Sequence, residues 1–167
     1  MALFTVDWED WNDALHIEGQ SLIYEPTMFL LEILDKYDVS AIFYILGKTV
    51  ENNPDAYHEI VSRHQHSIKS HGYYHYRYED ADRKPYANMG FTGGFYFRAF
   101  PYWFIKREVE RLGNFYVHPH DVMLYHPPLK NKILDFKRHV GLKQSRFKLD
   151  RLMEEVEWDV ANQLQRN

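Results

Sequence analysis

Two histidines four residues apart, His71 and His75, are the side chains in this sequence that most directly indicate chemistry. Residues at positions i and i+4 are neighbours on a helical turn, so both imidazoles can face one point. Imidazole nitrogen is a good ligand for a borderline divalent ion such as zinc. The chain contains 10 histidines, so such a pair also arises by chance. The pair therefore needs further ligands nearby before it indicates a metal site.

Two other polar clusters supply candidates for those ligands. Asp7, Glu9 and Asp10 follow an apolar run at the start of the chain, and a second histidine cluster begins at His118 after another short apolar run. In parallel α/β sheets and barrels, ligands and chemistry lie at the carboxyl ends of the strands. We therefore predict that the three clusters meet in one site.

Such a site has the components of a metal-dependent hydrolase. Two imidazoles and a carboxylate leave a zinc-like ion with one open position, as in catalytic zinc sites. The ion lowers the pKa of a bound water and polarises a carbonyl oxygen. A second carboxylate can accept the proton of the water, and a histidine on the opposite side can protonate the leaving group. This inventory favours hydrolysis of an amide or an ester over phosphate chemistry, because no phosphate-binding glycine loop is present.

The bulk composition restricts the class of protein. The length of 167 residues predicts a single domain, 1–167. A net charge of −4 argues against nucleic-acid binding, and we interpret the basic segment 130–148 as a solvated face. The absence of cysteine excludes disulfides and thiolate metal sites. The N-terminal run has neither the basic region of a signal peptide nor the length of a membrane span, so we expect a cytoplasmic protein without a transmembrane segment. The oligomeric state stays open.

Alternating apolar runs and amphipathic segments predict the order strand, helix, strand, helix, strand over the first part of the chain. This order is typical of parallel strands with right-handed crossovers. The predicted strands cover 2–6, 40–47, 66–69, 93–98 and 114–117, and the predicted helices cover 26–37, 54–64, 101–112, 129–140 and 145–165. Residues 76–92 are predicted to form a long loop.

Several segments, taken in order, resemble the polysaccharide deacetylases, also known as the NodB-homology family or carbohydrate esterase family 4. The opening motifs of that family resemble Thr5–Trp11, Ala41–Gly47 and Ser70–His75. The segments 93–102 and 116–119 resemble later segments of the subgroup whose first motif is Asp-x-Glu-Asp. Each motif alone is weakly specific, but their combination in this order, across residues 3–126, is fairly specific.

The resemblance implies a distorted (β/α) barrel and a metal-dependent N-deacetylase that acts on N-acetylated sugars, with zinc as the expected ion. Carried over by position, it implies Asp7 as the general base, His118 as the general acid, and His71, His75 and Glu9 as metal ligands. Asp10 competes with Glu9 for the acidic ligand position. Glu9 is preferred by ungapped alignment, and it shares side-chain parity with Asp7 if the strand continues.

The sequence departs from the family pattern in three ways. Only 17 residues separate His75 from the later segments, and the Arg-x-Pro motif expected there has a weak match in Arg83–Pro85. An eight-stranded barrel typically needs about 250 residues, so we expect a reduced, open barrel or a missing piece of the loop. A reduced barrel would leave a wide cleft for a large glycan or a lipid-linked sugar. His120 stands where the family has tryptophan.

Several other side chains have less specific interpretations. For Trp8 and Trp11, stacking on a sugar and packing in the core both stay open. Arg98 is compatible with a contact to a substrate carboxylate or to Asp7, and equally with an ordinary salt bridge. His120 is a candidate for orienting a metal ligand. The histidines expected at the surface are His64, His66, His126 and His139.

The leading hypothesis is a metal-dependent hydrolase that removes acetyl groups from N-acetylated sugars of a polysaccharide or its precursor. One alternative is hydrolysis of a different non-peptide C–N bond with the same metal. Another is a glycan-binding or assembly protein that keeps the cleft without turnover, which the shortened middle of the chain motivates.

Overall fold

The structure is a computed structural model that describes residues 1–11, 21–74 and 92–159. Its centre is a sheet of four parallel strands. The strands are β1 (Leu3–Trp8), β2 (Ala41–Ile45), β3 (Ser67–Ser70) and β4 (Asn114–Val117). Their spatial order is β3-β2-β1-β4, so β1 is central and carries the first polar cluster into the middle of the sheet.

Helices of the described segments flank this sheet. They are α1 (Tyr24–Lys36), α2 (Gly47–Asn52), α3 (Pro54–Val61), α4 (Gly94–Ala99), α5 (Tyr102–Leu112), α6 (Lys132–His139) and α7 (Leu142–Glu155), together with a 3₁₀ helix at Pro119–Val122. Helix α1 packs against α3, α7 and the 3₁₀ helix, and α5 packs on β4. The 3₁₀ helix, which follows β4 directly, is thereby held between α1, α7 and the sheet.

The alternation of buried and partly exposed residues in β1 explains its central position. Phe4, Val6 and Trp8 are fully buried, because side chains of a strand point alternately to opposite faces. In the register of the sheet, Val6 is paired with Phe43 of β2 and with Val117 of β4, both also buried. Burying a large apolar side chain stabilises the folded state by about 1.5–3 kcal/mol, so this row is a main source of fold stability.

The two tryptophans of the first polar segment belong to the interior. Trp8 is fully buried, and its indole N–H donates to the hydroxyl of Thr27 at 2.9 Å. The Thr27 hydroxyl in turn donates to the carbonyl of Ile23 at 2.7 Å. Trp11 is 1% exposed and packs its ring 4.3 Å from the ring of His126. Both tryptophans therefore pack in the core, and the interpretation as sugar-stacking platforms was wrong.

The prediction of a parallel α/β sheet is confirmed, in an open form. The described part of the chain forms four strands with β3 and β4 at the edges, so this sheet is not closed into a barrel. The predicted strand at 93–98 is wrong, because the segment forms helix α4. Phe97 and the neighbouring Arg98 are both buried, and the Phe97 ring lies 5.2 Å from that of Phe115. A helical turn allows this, whereas neighbouring residues of a strand face opposite sides.

The C-terminal prediction was also wrong in its bounds. Helix α7 begins at Leu142 and ends at Glu155, whereas the apolar periodicity predicted a helix over 145–165. After α7 the chain is extended, and Ala2 forms a parallel bridge with Trp158 beside β1. The indole of Trp158 lies 5.3 Å from the ring of Phe4. Trp158 therefore covers the core from an extended segment and not from a helix. Residues 160–167 lie outside the described residues, as does most of the predicted loop 76–92.

Candidate functional site

The carboxyl ends of three strands deliver the predicted polar residues to one region. Asp7 is the second-last residue of β1, and Glu9 follows that strand directly. His71 follows β3 and His118 follows β4. The structure brings these side chains together in two pairs, Glu9 with His71 and Asp7 with His118.

Glu9 and His71 form the first pair. Glu9 Oε1 lies 3.3 Å from His71 Nε2, with the glutamate side chain 6% exposed and the imidazole 30% exposed. The hydrogen bond to Glu9 raises the pKa of His71, with the charges of Asp7 and Glu9 adding to it against the effect of burial. His75, the other predicted imidazole ligand, lies outside the described residues.

The Glu9–His71 pair fits a tetrahedral divalent ion. Two donor atoms bound at about 2.0–2.1 Å to such an ion are roughly 3.3 Å apart, which matches the observed separation. A carboxylate and an imidazole are also ligand types that zinc accepts. Asp10 is placed differently: it is 3% exposed, and its Oδ1 accepts a hydrogen bond from the backbone N–H of Leu22 at 3.4 Å.

Asp7 and His118 form the second pair. Asp7 Oδ2 lies 3.8 Å from His118 Nε2, and each side chain is 20% exposed. The separation is longer than a hydrogen bond. A carboxylate and an imidazole in this arrangement can serve as a proton acceptor and a proton donor for one reacting group.

Asp121 is the residue of this region that sequence reasoning missed. It lies in the 3₁₀ helix after β4, and its Oδ2 accepts hydrogen bonds from the backbone N–H of His118 at 3.0 Å and from His118 Nδ1 at 3.1 Å. The bond from the backbone N–H of His118 caps the start of the 3₁₀ helix, which has Pro119 at its first position. The His-Pro-x-Asp spacing is the sequence signal from which it could have been found.

Electrostatics around Asp121 favour a charged carboxylate and a protonated His118. Burial opposes ionisation of Asp121, but His120, His118 and Arg98 together hold its pKa well below the usual range. Burial likewise opposes protonation of His118, yet the hydrogen bond to Asp121 and the charges of Asp121, Glu9 and Asp7 raise its pKa. The imidazole is therefore suited to donate a proton near neutral pH.

Arg98 is buried, and its guanidinium forms a salt bridge with Asp121. Its Nε donates to Asp121 Oδ1 at 2.9 Å, and both side chains are at most 2% exposed. Its remaining donors reach the carbonyls of Arg138 at 2.6 Å, Val140 at 2.9 Å and Lys137 at 3.1 Å, at the end of α6. Of the two interpretations of Arg98, the salt bridge is the one observed.

Several histidines predicted at the surface are buried instead. His66 is 9% exposed and His126 is fully buried, so their surface assignment was wrong, whereas His64 is exposed as predicted. Burial lowers the pKa of both His66 and His126 to about 4. The type of residue suggested a solvated group, but each ring packs against an aromatic neighbour inside the fold.

A second group of possible metal ligands lies next to the first. Ligand atoms of His118, His120 and Asp121 are all within 4.8 Å of one another, and within the described ranges no other group of three is found. The His120 ring stacks on that of His118 at 4.7 Å. However, Arg98 already neutralises the Asp121 carboxylate, and an Arg138 nitrogen is in hydrogen-bond contact with His120 Nε2. Two adjacent guanidinium groups disfavour binding of a further cation here.

A cavity of about 310 Å³ lies beside part of this site. Glu9 and His118 line it, together with Tyr116 of β4 and Phe95 of α4. Burial raises the pKa of the Tyr116 phenol to about 12, so this group is an uncharged hydrogen-bond donor at neutral pH. The volume is at the lower end of the range for small-molecule sites.

Two family models match the chain and together span most of it. Residues 24–90 match the model described as Polysaccharide deacetylase. Residues 81–166, slightly more than half of the chain, match Domain of unknown function (DUF3473), which is found in polysaccharide deacetylase proteins. The chain belongs to the polysaccharide deacetylase family. It is thus a carbohydrate deacetylase in general terms, with an N-acetylated sugar as the substrate that the family implies.

The candidate site of this polysaccharide deacetylase draws on both matched ranges and on residues before them. His71 lies in the first range, and His118 and Asp121 lie in the second, while Asp7 and Glu9 precede both. No curated protein and no solved structure matches the chain. None of the described helices combines the length and the apolar character needed to cross a membrane.

Proposed function

We propose that the protein is a metal-dependent N-deacetylase that removes acetyl groups from N-acetylated sugars of a polysaccharide or its precursor. The observation that carries the proposal is the convergence of Glu9 with His71, and of Asp7 with His118, at the carboxyl ends of three parallel strands. Because the site combines residues from the whole described chain, we also propose that 1–167 acts as a single catalytic domain.

The proposed ligands of the ion are Glu9, His71 and His75, and the proposed ion is zinc. When bound, a divalent ion of this kind would polarise the acetyl carbonyl and increase the acidity of a water molecule. Glu9 is favoured over Asp10 by its distance of 3.3 Å from His71, while Asp10 accepts the backbone N–H of Leu22. The donor separation in the Glu9–His71 pair also fits a tetrahedral ion. The cluster around His120 is a poorer candidate, because two arginines contact its members.

The side chains of the protein would move the protons of the reaction. Asp7 is proposed to accept a proton from the attacking water, because it is a carboxylate that is 20% exposed and lies beside His118. His118 is proposed to donate a proton to the departing amine, and its raised pKa keeps the imidazole charged for that step. Asp121 fixes the orientation of His118 by accepting from its Nδ1, which leaves Nε2 directed toward Asp7.

The test is acetate release by the purified full chain from N-acetylglucosamine oligomers in the presence of zinc or cobalt. The Asp7→Asn variant should lose about 10²- to 10⁴-fold of the rate, the range typical of general acid–base catalysis, while its metal content is unchanged. Asp55→Asn, which changes an exposed aspartate in the first turn of α3, is the matched control and should retain full activity. Absence of acetate release from varied glycans with every metal would contradict the proposal.

Two alternatives predict different results in the same assays. Turnover of small cyclic amides in place of acetylated sugars would favour another C–N hydrolase. A bound ion and measurable sugar affinity without acetate release would favour a glycan-binding or assembly role. The competing metal cluster is tested by metal analysis, because His71→Gln should reduce the metal content whereas His120→Gln should leave it unchanged.

A further inference from the structure

The active-site cavity has a basic wall that the proposed chemistry does not use. Helix α6 contributes Leu134, Lys137 and Arg138 to the lining of the same 310 Å³ cavity that contains Glu9 and His118. Neither Lys137 nor Arg138 has a role in the proposed proton transfers.

The surrounding carboxylates do not account for Lys137. The acidic residues that line the cavity are Glu9 and Asp121. Glu9 lies against His71, and Asp121 is bound by Arg98 and His118. Within the described part of the chain, no carboxylate forms an ion pair with Lys137, whose side chain is exposed. Its ammonium group is thus available to a negative charge that enters the cavity.

Arg138, the neighbouring cation, is held in a fixed orientation. One of its nitrogens contacts His120 Nε2, and its guanidinium carbon lies 5.1 Å from the centre of the buried Trp11 ring. The backbone is fixed as well, because Arg98 binds the carbonyls of both Lys137 and Arg138. Orientation before binding reduces the entropic cost of binding a ligand.

The charge of this region stands out against the rest of the molecule. Residues 130–148 contain seven Lys and Arg and one Asp, although the whole chain has a net charge of −4. Several of these cations have internal roles: Arg146 binds Glu25 at 2.6 Å, and Lys148 donates to the carbonyls of Arg98 and Phe100. Lys137 differs from them, because its side chain lines the active-site cavity.

We propose that the sugar chain deacetylated by this protein carries a negatively charged group, a carboxylate or a phosphate, close to the N-acetyl group, and that Lys137 with Arg138 binds it. This inference rests on the proposed function and names its substrate class. Both anions offer oxygen acceptors that lysine and arginine bind in charge-assisted hydrogen bonds. A neutral oligomer of N-acetylglucosamine would offer the Lys137 ammonium no negative charge.

The test compares three substrates of equal length. One is a neutral N-acetylglucosamine oligomer, the second alternates N-acetylglucosamine with glucuronic acid, and the third carries a phosphate on the sugar next to the acetylated one. For the wild-type protein, kcat/KM should be about three- to tenfold higher for at least one anionic substrate than for the neutral one, the effect of one or two half-exposed ion pairs. The identity of the preferred substrate distinguishes carboxylate from phosphate.

Variants at position 137 isolate the charge. Lys137→Gln should reduce the ratio of anionic to neutral kcat/KM toward one, mainly through KM, and Lys137→Glu should bring it below one. Lys132→Gln, which removes a lysine from the start of the same helix but outside the cavity lining, is the matched control and should keep the wild-type ratio. Raised salt should reduce the wild-type ratio, because half-exposed charges are screened.

Equal kcat/KM for the three substrates, or an unchanged ratio in Lys137→Glu, would overturn the inference. Direct binding of the same oligosaccharides, measured by calorimetry, separates this failure from failure of the proposed function. If no acetate is released, weaker binding of the anionic oligosaccharide to Lys137→Glu than to the wild type would still support the anion site. Equal affinities in that experiment would refute the site.

Discussion

Asp121 determines both the orientation and the charge of His118. Its carboxylate accepts from the imidazole Nδ1 and from the backbone N–H of the same residue, and Arg98 holds it from the other side. The imidazole therefore has one nitrogen fixed by the protein and the other directed toward Asp7. In the proposed reaction, this buried carboxylate would act through the histidine that it orients.

The Asp121→Asn variant tests this arrangement. An amide oxygen can still accept a hydrogen bond, but the negative charge that raises the pKa of His118 is lost. We expect kcat to fall by about 10²-fold or more with little change in KM. In the proposed mechanism, activity needs a protonated His118 and is lost as the pH rises through its pKa, so the alkaline limb of the pH–rate profile should move to lower pH. A profile identical to that of the wild type would contradict this role.

His66 provides a pH-dependent contribution to stability that is unrelated to the site. Its Nδ1 accepts the backbone N–H of Ala41 at the start of β2, at 3.3 Å, so the ring must be neutral. Burial lowers its pKa to about 4, against about 6.5 in the unfolded chain. Because the unfolded state binds the proton more strongly, stability is complete above pH 6.5 and falls as the pH decreases toward 4, by up to about 3 kcal/mol.

The His66→Asn variant should remove the contribution of one titrating group to the pH dependence of stability. The asparagine oxygen can replace Nδ1 as the acceptor for Ala41, but it does not titrate. The slope of the free energy of unfolding between pH 4 and 6.5, measured by denaturant titration, should decrease. The remaining slope should include the contributions of His126, whose pKa is also about 4, and of His120, whose pKa burial holds well below its usual value. The exposed His64→Asn should leave the slope unchanged, and an unchanged slope in His66→Asn would refute the assignment.

Residue types and order were enough to predict the candidate site but not what supports it. Asp7, Glu9, His71 and His118 were predicted because carboxylates and imidazoles that follow apolar runs are visible in the sequence. The burial of His66 and His126 was missed, because whether a histidine is solvated depends on which helix or strand covers it. The role of Asp121 was missed because the cap geometry forms only when the chain turns after β4.

At the scale of elements, helix α6 is attached to the protein through the carbonyls of its last turn as well as through its side chains. None of its residues is buried, and the Arg98 guanidinium binds three carbonyls at or after its last turn. Helix ends leave their last carbonyls without intrahelical partners, and a cation there also interacts favourably with the helix dipole. Gly141, with a φ of 69°, follows at a point where a Cβ would lie 2.0 Å from the carbonyl oxygen of Arg98.

The Arg98→Met variant tests this attachment. It leaves a buried Asp121 carboxylate without its counter-charge, so the free energy of unfolding should decrease by about 3–5 kcal/mol. The double variant Arg98→Met with Asp121→Leu should recover part of this loss in denaturant titrations, because both buried charges are then removed. Acetate release should stay low in the double variant, since His118 has lost its partner. A loss below about 1 kcal/mol in the single variant would contradict the role of Arg98.

The elements that sequence patterns predicted well are those with an uninterrupted apolar run or face. The predicted strand 114–117 has the observed bounds, and the other buried strands differ by a few residues. Helix α4 was predicted as a strand because Phe95, Tyr96 and Phe97 favour strands locally. Tertiary contacts decide otherwise: Gly93 approaches the carbonyl of Tyr116 so closely that a Cβ would lie 2.0 Å from it. Such contacts between distant segments are invisible to local patterns.

At the scale of the whole molecule, the proposed ion links separate strands of an open sheet. Glu9 follows the central strand β1, and His71 follows the edge strand β3, with β2 between them. A ligand that binds only the folded state stabilises it by RT ln(1 + [L]/Kd), about 2.7 kcal/mol at a free concentration of 100 Kd. Metal binding should therefore affect the thermal stability of the entire domain.

We expect zinc to raise Tm by about 5–10 °C at such a concentration and a chelator to reverse the change. Glu9→Gln should abolish the zinc-dependent shift, measured by thermal denaturation. Asp10→Asn is the matched control, because an amide oxygen can keep the hydrogen bond from Leu22, and it should retain the shift. The reverse pattern would assign the acidic ligand to Asp10, and a shift that both variants retain would exclude both carboxylates.

The central position of β1 has a consequence for how the molecule is made. Val6 finds its β2 neighbour, Phe43, early in synthesis, but its β4 neighbour, Val117, and the bridge from Ala2 to Trp158 come only after most of the chain has emerged. Until then β1 is an edge strand, paired with β2 alone, and it carries the acidic residues. Nascent chains with an exposed strand edge are prone to associate. Assembly of the candidate site is thus a late event, because it depends on β4 and the residues after it leaving the ribosome.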